Sequence, residues 1–158
     1  MTKDLGEGDK APAFTLPTDG GGKVSLKDFA GKPLVLYFYP KDDTTACTQE
    51  AIDFSAEAAA FRKAGAAILG VSKDTAAKHD KFKAKYELKI PLAADVEGHT
   101  VEAYGSWVEK SLYGRKYMGI DRSTFLIDAK GVIRRIWRKV KVKGHVAEVL
   151  AAVKALKG

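Results

Sequence analysis

Cys47 is the only cysteine in the chain, and its thiol is the strongest potential nucleophile in the sequence. The thiolate, not the thiol, attacks electrophiles. A free thiol of pKa ~8.5 is only ~3% ionised at pH 7. Reaching ~90% thiolate needs a pKa near ~6, or ~3.4 kcal/mol of differential stabilisation. A helix N-terminus supplies ~0.3–1 kcal/mol, and ~2 kcal/mol at best. An active Cys47 therefore requires a nearby cation, for which Lys41 and Arg122 are the candidates, while Asp42 and Asp43 would oppose ionisation. Thr44 stands where an N-cap would, its hydroxyl placed to accept from the backbone N–H of Ala46 or Cys47. The competing reading is that a lone cysteine is a small buried hydrophobe.

The elements around Cys47 argue for the chemical reading. The apolar run 34–39, closed by Pro33 and Pro40, reads as a strand buried on both faces, as does 66–71. Between them the pattern predicts a helix over about 45–64. Such a strand–helix–strand unit makes the two strands parallel neighbours. Sites in α/β folds lie at the C-terminal ends of such strands, which is where Cys47 falls. Cys47, Ala51, Phe54, Ala58 and Phe61 are spaced 4, 3, 4 and 3, a helical stripe that must face the sheet.

Further along, a helix is expected over 75–86, with His79, Phe82 and Tyr86 on one face. A short strand at 91–94 and a short helix at 97–104 follow. The segment 105–119 has three glycines but no clean periodicity, and reads as an ordered loop. Strand 123–128, a turn at 128–131 and a strand over 132–140 form a hairpin, and a last helix follows Gly144. The expected fold class is α/β, with a mixed central sheet and helices on both faces, a description that a thioredoxin-like fold meets.

The 158 residues suit one domain, 1–158. One cysteine excludes an intrachain disulfide and fits a reducing compartment. His79, His99 and His145 have no metal-ligand spacing, so no metal site is expected. Gly20, Gly21 and Gly22 form a turn, since no Lys-Ser/Thr pair follows at phosphate-loop spacing. No apolar run approaches the roughly 18–20 residues of a membrane span, and residues 1–10 lack a signal-peptide core, so a cytoplasmic location is expected. The net charge of +7 is uneven: 130–143 holds seven Lys and Arg and no acid. That run could bind an anionic partner such as nucleic acid. With no nucleic-acid motif beside it, a solvated strand edge is the preferred reading, and no nucleic-acid partner is expected.

The segment 37–50 resembles the active-site segment of peroxiredoxins, carrying Pro-x-x-x-Thr-x-x-Cys as Pro40, Thr44 and Cys47. The nearest subgroup is that of the bacterioferritin comigratory protein, or PrxQ. Segments 8–16, 70–74 and 113–128, then 131–133 and 140–145, match further blocks in the same order, so the resemblance covers nearly the whole chain. It implies a thioredoxin-like fold and a peroxidatic Cys47. It also implies Arg122 as the cation that holds the peroxide, and Thr44 as a hydrogen-bonding partner of peroxide or thiolate. Pro40 would shield the pocket, backbone N–H groups at Ala46 and Cys47 would add donors, and Glu50 would orient Arg122.

Two departures matter. Many relatives have Pro-Gly where Thr45-Ala46 stand, which changes the rigidity of the turn. Relatives also carry a second cysteine at the position of Ile52 or Lys83, and this chain has neither. The expectation is a one-cysteine peroxidase acting on hydrogen peroxide or organic hydroperoxides through a Cys47 sulfenic acid. An external thiol would reduce it: thioredoxin, glutaredoxin or a low-molecular-weight thiol. No cofactor and no membrane are expected, and the subgroup implies a monomer. The alternative is a redox-sensing or interaction module that forms mixed disulfides through Cys47 without efficient turnover.

Overall fold

The computed structural model describes residues 5–156. Strands β1 (Thr15–Pro17) and β2 (Lys23–Ser25) pair antiparallel around a 3-10 turn at Asp19–Gly21. Next come β3 (Leu34–Phe38), the helices α1 (Thr45–Ala56) and α2 (Ala58–Lys63), and β4 (Ala67–Ser72). Then follow α3 (Ala76–Tyr86), β5 (Leu92–Ala94) and α4 (His99–Ala103). A hairpin of β6 (Trp107–Leu112) and β7 (Arg115–Ile120) precedes β8 (Ser123–Ile127), β9 (Ile133–Trp137) and α5 (His145–Ala155).

The central sheet has the order β5-β4-β3-β8-β9. β3, β4 and β5 run parallel, while β8 is antiparallel to both β3 and β9. Every residue of β3 is buried because both faces are covered. Val35 and Tyr37 point into one core with Cys47, Ala51, Phe54, Phe61, Phe82 and Val149. Leu34, Leu36 and Phe38 point into the other, with Phe14, Val101, Tyr104 and Phe125. The sheet is therefore mixed with helices on both faces, as the sequence pattern indicates. At Gly70 of β4 the ring of Tyr37 takes the space of a side chain: a Cβ there would lie 2.8 Å from Tyr37 Cζ and Oη.

Two local expectations need correction. The helix expected over 45–64 is broken at Glu57, where φ is −100° and ψ 6°. No glycine or proline causes this. Beside the break, Ser55 Oγ accepts the backbone N–H of Lys89, tying the end of α1 to the segment after α3. The inward stripe from Cys47 to Phe61 continues across the break.

The segment 105–119 is not a loop but contains the β6–β7 hairpin. Tyr113 and Gly114 form its two-residue turn, with φ of 51° and 78°. Two positive φ values match the I′ turn whose twist suits paired strands. The ribbon stands out with much of both faces in water, so apolar and polar residues do not alternate along it. The basic run spans the turn before β9, the edge strand β9 itself and the segment after it. Arg134 pairs with Asp128 at 3.4 Å, and Arg138 donates to the carbonyls of Tyr104 and Gly105.

Candidate functional site

Cys47 lies in the first turn of α1, directly after the β3 strand end, and is 1% exposed. Proline at position 40 ends β3 by removing a ladder donor, and the backbone N–H of Tyr39 makes the last bond, to Val71 O at 3.1 Å. Thr45 is the first helical residue, a position whose N–H needs no intrahelical partner, so a helix forms there without the proline of the relatives.

Sheet register brings the cation to the thiol. Phe38 of β3 pairs with Ser123 of β8. Arg122, one residue earlier, therefore sits beside the end of β3 from which the Cys47 segment departs. Its backbone carbonyl accepts from Val140 N–H at 3.0 Å, which holds the connection in place. One guanidinium nitrogen, Nη2, donates to Cys47 Sγ at 3.3 Å, and Nη1 donates to Glu50 Oε1 at 2.7 Å. Of the two candidate cations, Arg122 is the one that lies against the sulfur. Lys41 is exposed.

Glu50 lies one turn after Cys47 and is completely buried, and its Oε2 has no hydrogen-bond partner among the described residues. Burial pushes its carboxyl up to about 7, against the lowering effect of Arg122, with Asp53 adding a small upward push. Burial opposes the charge on Arg122, but Glu50 and Cys47 outweigh it and hold the guanidinium above its ordinary value. Tyr37, stacked on Phe54 at 4.6 Å, is driven up by burial and then by Glu50.

Thr44 occupies the N-cap but caps nothing with its side chain. Its hydroxyl donates instead to Lys41 O at 3.0 Å. That bond closes the loop 41–44 on itself, so the expected bond from the Ala46 or Cys47 N–H is replaced by a turn bond. The hydroxyl oxygen keeps its lone pairs, and the first-turn N–H groups of α1 keep their donors. Thr44 and Ala46 are exposed and Pro40 partly buried, all at the head of the helix.

The two acids that threatened a thiolate have other partners. Asp42 Oδ2 lies 2.7 Å from His79 Nδ1, and Asp42 Oδ1 accepts from Tyr39 Oη at 2.6 Å. His79 Nε2 lies 2.9 Å from Ala93 O. A carbonyl only accepts, so Nε2–H donates to Ala93 O. Asp42 N–H also donates to Asp74, which Ser72 supports. Asp43 takes hydrogen bonds from Lys85 and Tyr86, which hold its carboxyl below the usual range. Asp43 has a φ of 60°, which aspartate tolerates better than most residues. The active-site loop is therefore pinned to α3 and β4. Sequence reasoning placed His79 only on a helix face. Its partner lies 37 positions away, and no spacing rule connects them.

At the two positions where relatives have a second cysteine, Ile52 is exposed on α1 and Lys83 pairs with Asp19 at 2.8 Å. His145 donates to or accepts from Thr124 at 2.8 Å through Nε2. Burial holds its pKa down to about 4.

The arrangement is a shielded sulfur with a fixed cation on it, which suits nucleophilic attack on an electrophile that leaves with negative charge. Comparison with known proteins agrees. A sequence profile of the AhpC/TSA family matches residues 7–136. Peroxiredoxin Bcp of Bacillus subtilis is 49% identical over 154 residues, covering 98% of this chain and 97% of the relative. The structure of Xylella fastidiosa PrxQ, solved as a cysteine-to-serine mutant, is 37% identical with a TM-score of 0.92, covering 97% of this chain and 98% of that one. The bacterioferritin comigratory protein of Xanthomonas campestris, studied for its alkyl peroxide reduction activity, is 46% identical with a TM-score of 0.86, covering 90% of each chain. The matches span most of the chain and these relatives are peroxiredoxins: the chain belongs to the AhpC/TSA family, in its Bcp/PrxQ branch of thiol-dependent peroxidases.

Proposed function

We propose that the peroxidase acts on hydrogen peroxide and alkyl hydroperoxides through Cys47, with Arg122, Thr44 and the head of α1 as its substrate site. The observation that carries this reading is the Arg122 Nη2 to Cys47 Sγ contact at 3.3 Å, beside the Glu50 carboxylate that takes the other nitrogen. Cys47 thiolate attacks the terminal oxygen of ROOH. The S–O bond forms, the O–O bond breaks, and RO⁻ leaves and takes a proton to become ROH. Charge moves from sulfur to the leaving oxygen, so donors fixed around both atoms favour the transition state. Arg122 serves both charges. Thr44 Oγ and the free N–H groups of Ala46 and Cys47 hold the peroxide, Pro40 screens the pocket, and Glu50 orients the guanidinium.

The product, Cys47 sulfenic acid, has no second cysteine in the chain to react with. An external thiol condenses with it, releasing water, and a second thiol exchanges to free Cys47. Thioredoxin, glutaredoxin or a small thiol fills this role. The protein works as a single cytoplasmic domain and as a monomer.

Stopped-flow oxidation of the reduced protein by hydrogen peroxide and by an alkyl hydroperoxide, alongside Cys47→Ser, tests this reading. Wild type should react orders of magnitude faster than free cysteine, and Cys47→Ser should not react. A wild-type rate equal to that of a free thiol sinks the assignment. Catalytic cycling with added thiol separates an enzyme from a sensor, which oxidises once and stops.

A further inference from the structure

The β6–β7 ribbon is a two-stranded sheet, paired with no other strand among the described residues. The register puts Leu112 opposite Arg115 and Lys110 opposite Tyr117. Side chains alternate along a strand, so these four share one face of the ribbon. Leu112 is 56% exposed and Tyr117 47%, and Tyr113 at the tip is 97% exposed. No acidic residue shares that face. Lys110 and Arg115 make no ion pair among the described residues, whereas on the opposite face Lys116 pairs with Glu109. That opposite face is rooted in the core by Trp107 and Ile120. The free face therefore combines large apolar side chains with uncompensated positive charge.

Its position ties it to the chemistry. β7 ends at Ile120, and two residues on, Arg122 donates to Cys47 Sγ. The ribbon extends about 20 Å from that point, at ~3.3 Å per residue. The root of the ribbon is therefore two residues from the side chain that contacts Cys47.

We propose that this face docks the external reductant, an acidic protein that presents a redox-active thiol. The proposal rests on the peroxidase reading above, because that reading leaves the sulfenic acid to be resolved by another molecule. Tyrosine and leucine supply desolvated contact, and the two cations steer an acidic partner. One face of a ribbon this size gives a small footprint, as in transient redox encounters, which suits a reductant that must leave after each turnover. A second copy of the chain is disfavoured as occupant, since two such faces would oppose their cations and each chain carries a net charge of +7. Nucleic acid is disfavoured by Leu112, which offers nothing to phosphates. Once docked, the partner thiol attacks Cys47–SOH, an S–S bond forms, and the hydroxyl leaves as water with the thiol proton. The second thiol of the partner then attacks its own sulfur in that mixed disulfide. Cys47 departs as thiolate, and the partner leaves oxidised as an internal disulfide.

The test compares wild type with Lys110→Glu/Arg115→Glu and with Leu112→Ser/Tyr117→Ser. Three rates are measured: Cys47 oxidation by hydrogen peroxide, turnover with dithiothreitol, and turnover with an acidic thioredoxin at low and high salt. Both variants should lose at least tenfold in kcat/KM for thioredoxin. The charge variant should approach wild type at high salt, where steering is screened. Peroxide oxidation and dithiothreitol turnover should stay within twofold of wild type, which also shows that the variants fold. Unchanged thioredoxin turnover in both variants overturns the proposal. So does a wild type that cycles with dithiothreitol and not with thioredoxin. Loss of self-association or of DNA binding in the variants, with thioredoxin turnover intact, assigns the face to that other occupant. Failure of wild-type Cys47 to react with peroxide is a separate result, and it removes the peroxidase reading itself.

Discussion

Replacing Arg122 with glutamine isolates the charge on the nucleophile. The guanidinium lies 3.3 Å from Cys47 Sγ. At an effective dielectric constant of ~20, two unit charges at that distance attract by ~5 kcal/mol. Arg122 also serves Glu50 at 2.7 Å, so the sulfur receives only a share. A hydrogen bond to a charged group is worth ~1.5–3 kcal/mol net. A loss of ~3 kcal/mol corresponds to ~10²-fold in rate.

The variant should still fold. A buried carboxylate stripped of its partner costs ~3–5 kcal/mol. Glu50, however, is already raised to about 7 with the arginine present. Without Arg122 the lowering influence vanishes, so Glu50 becomes neutral at pH 7 and avoids most of that cost. The assay is the second-order rate constant for peroxide oxidation of Cys47, followed by loss of titratable thiol, with circular dichroism to check the fold. Arg122→Gln should fall by ~10²-fold, and Arg122→Lys, which keeps charge but loses the two-pronged geometry, by less. A folded Arg122→Gln protein within fivefold of wild type refutes the claim that this guanidinium activates Cys47.

Three further outcomes follow from the geometry. The Glu50 pKa of about 7 in the fold exceeds its ordinary 4.5, so its contribution to stability is full below pH 4.5 and is lost as pH rises through 7. That loss is up to roughly 3 kcal/mol, and urea unfolding at pH 5 and pH 8 should show it in wild type but not in Glu50→Gln; equal slopes in both proteins contradict it. Gly70→Ala drives a Cβ to 2.8 Å from the buried, stacked Tyr37 ring, and should cost ~1–3 kcal/mol, read as a lower melting temperature. An unchanged melting temperature means that the ring moves freely. Thr44→Val loses the hydroxyl bond to Lys41 O and a polar partner for peroxide, and should slow Cys47 oxidation ~10-fold, while Thr44→Ser stays near wild type. Equal rates for both variants discount the hydroxyl.

Residue type and local period made much of this protein legible in its sequence. A single cysteine limits the nucleophile to one atom and excludes an internal disulfide. The 4-3-4-3 stripe turned the sulfur towards the sheet, because side-chain direction on a helix follows from position alone. The runs 34–39 and 66–71, with a helix between them, became the parallel pair β3 and β4. The hairpin β6–β7 escaped because a ribbon wet on both faces has no hydrophobic alternation to detect. The break at Glu57 escaped because no glycine or proline marks it in the sequence.

The site itself was only half written in local pattern. Sequence chemistry required a cation near Cys47, but the choice of Arg122 over Lys41 rested on family resemblance. Sheet closure makes that choice physical: β8 pairs with β3 so that Phe38 meets Ser123, and Arg122 arrives beside a thiol 75 positions away. Asp42, which the sequence set beside Cys47, is held instead by His79 of α3 and by Tyr39. Periodicity encodes which face a side chain presents to the core. Which distant charge it meets there depends on strand order and register, and those exist only once the whole sheet has formed.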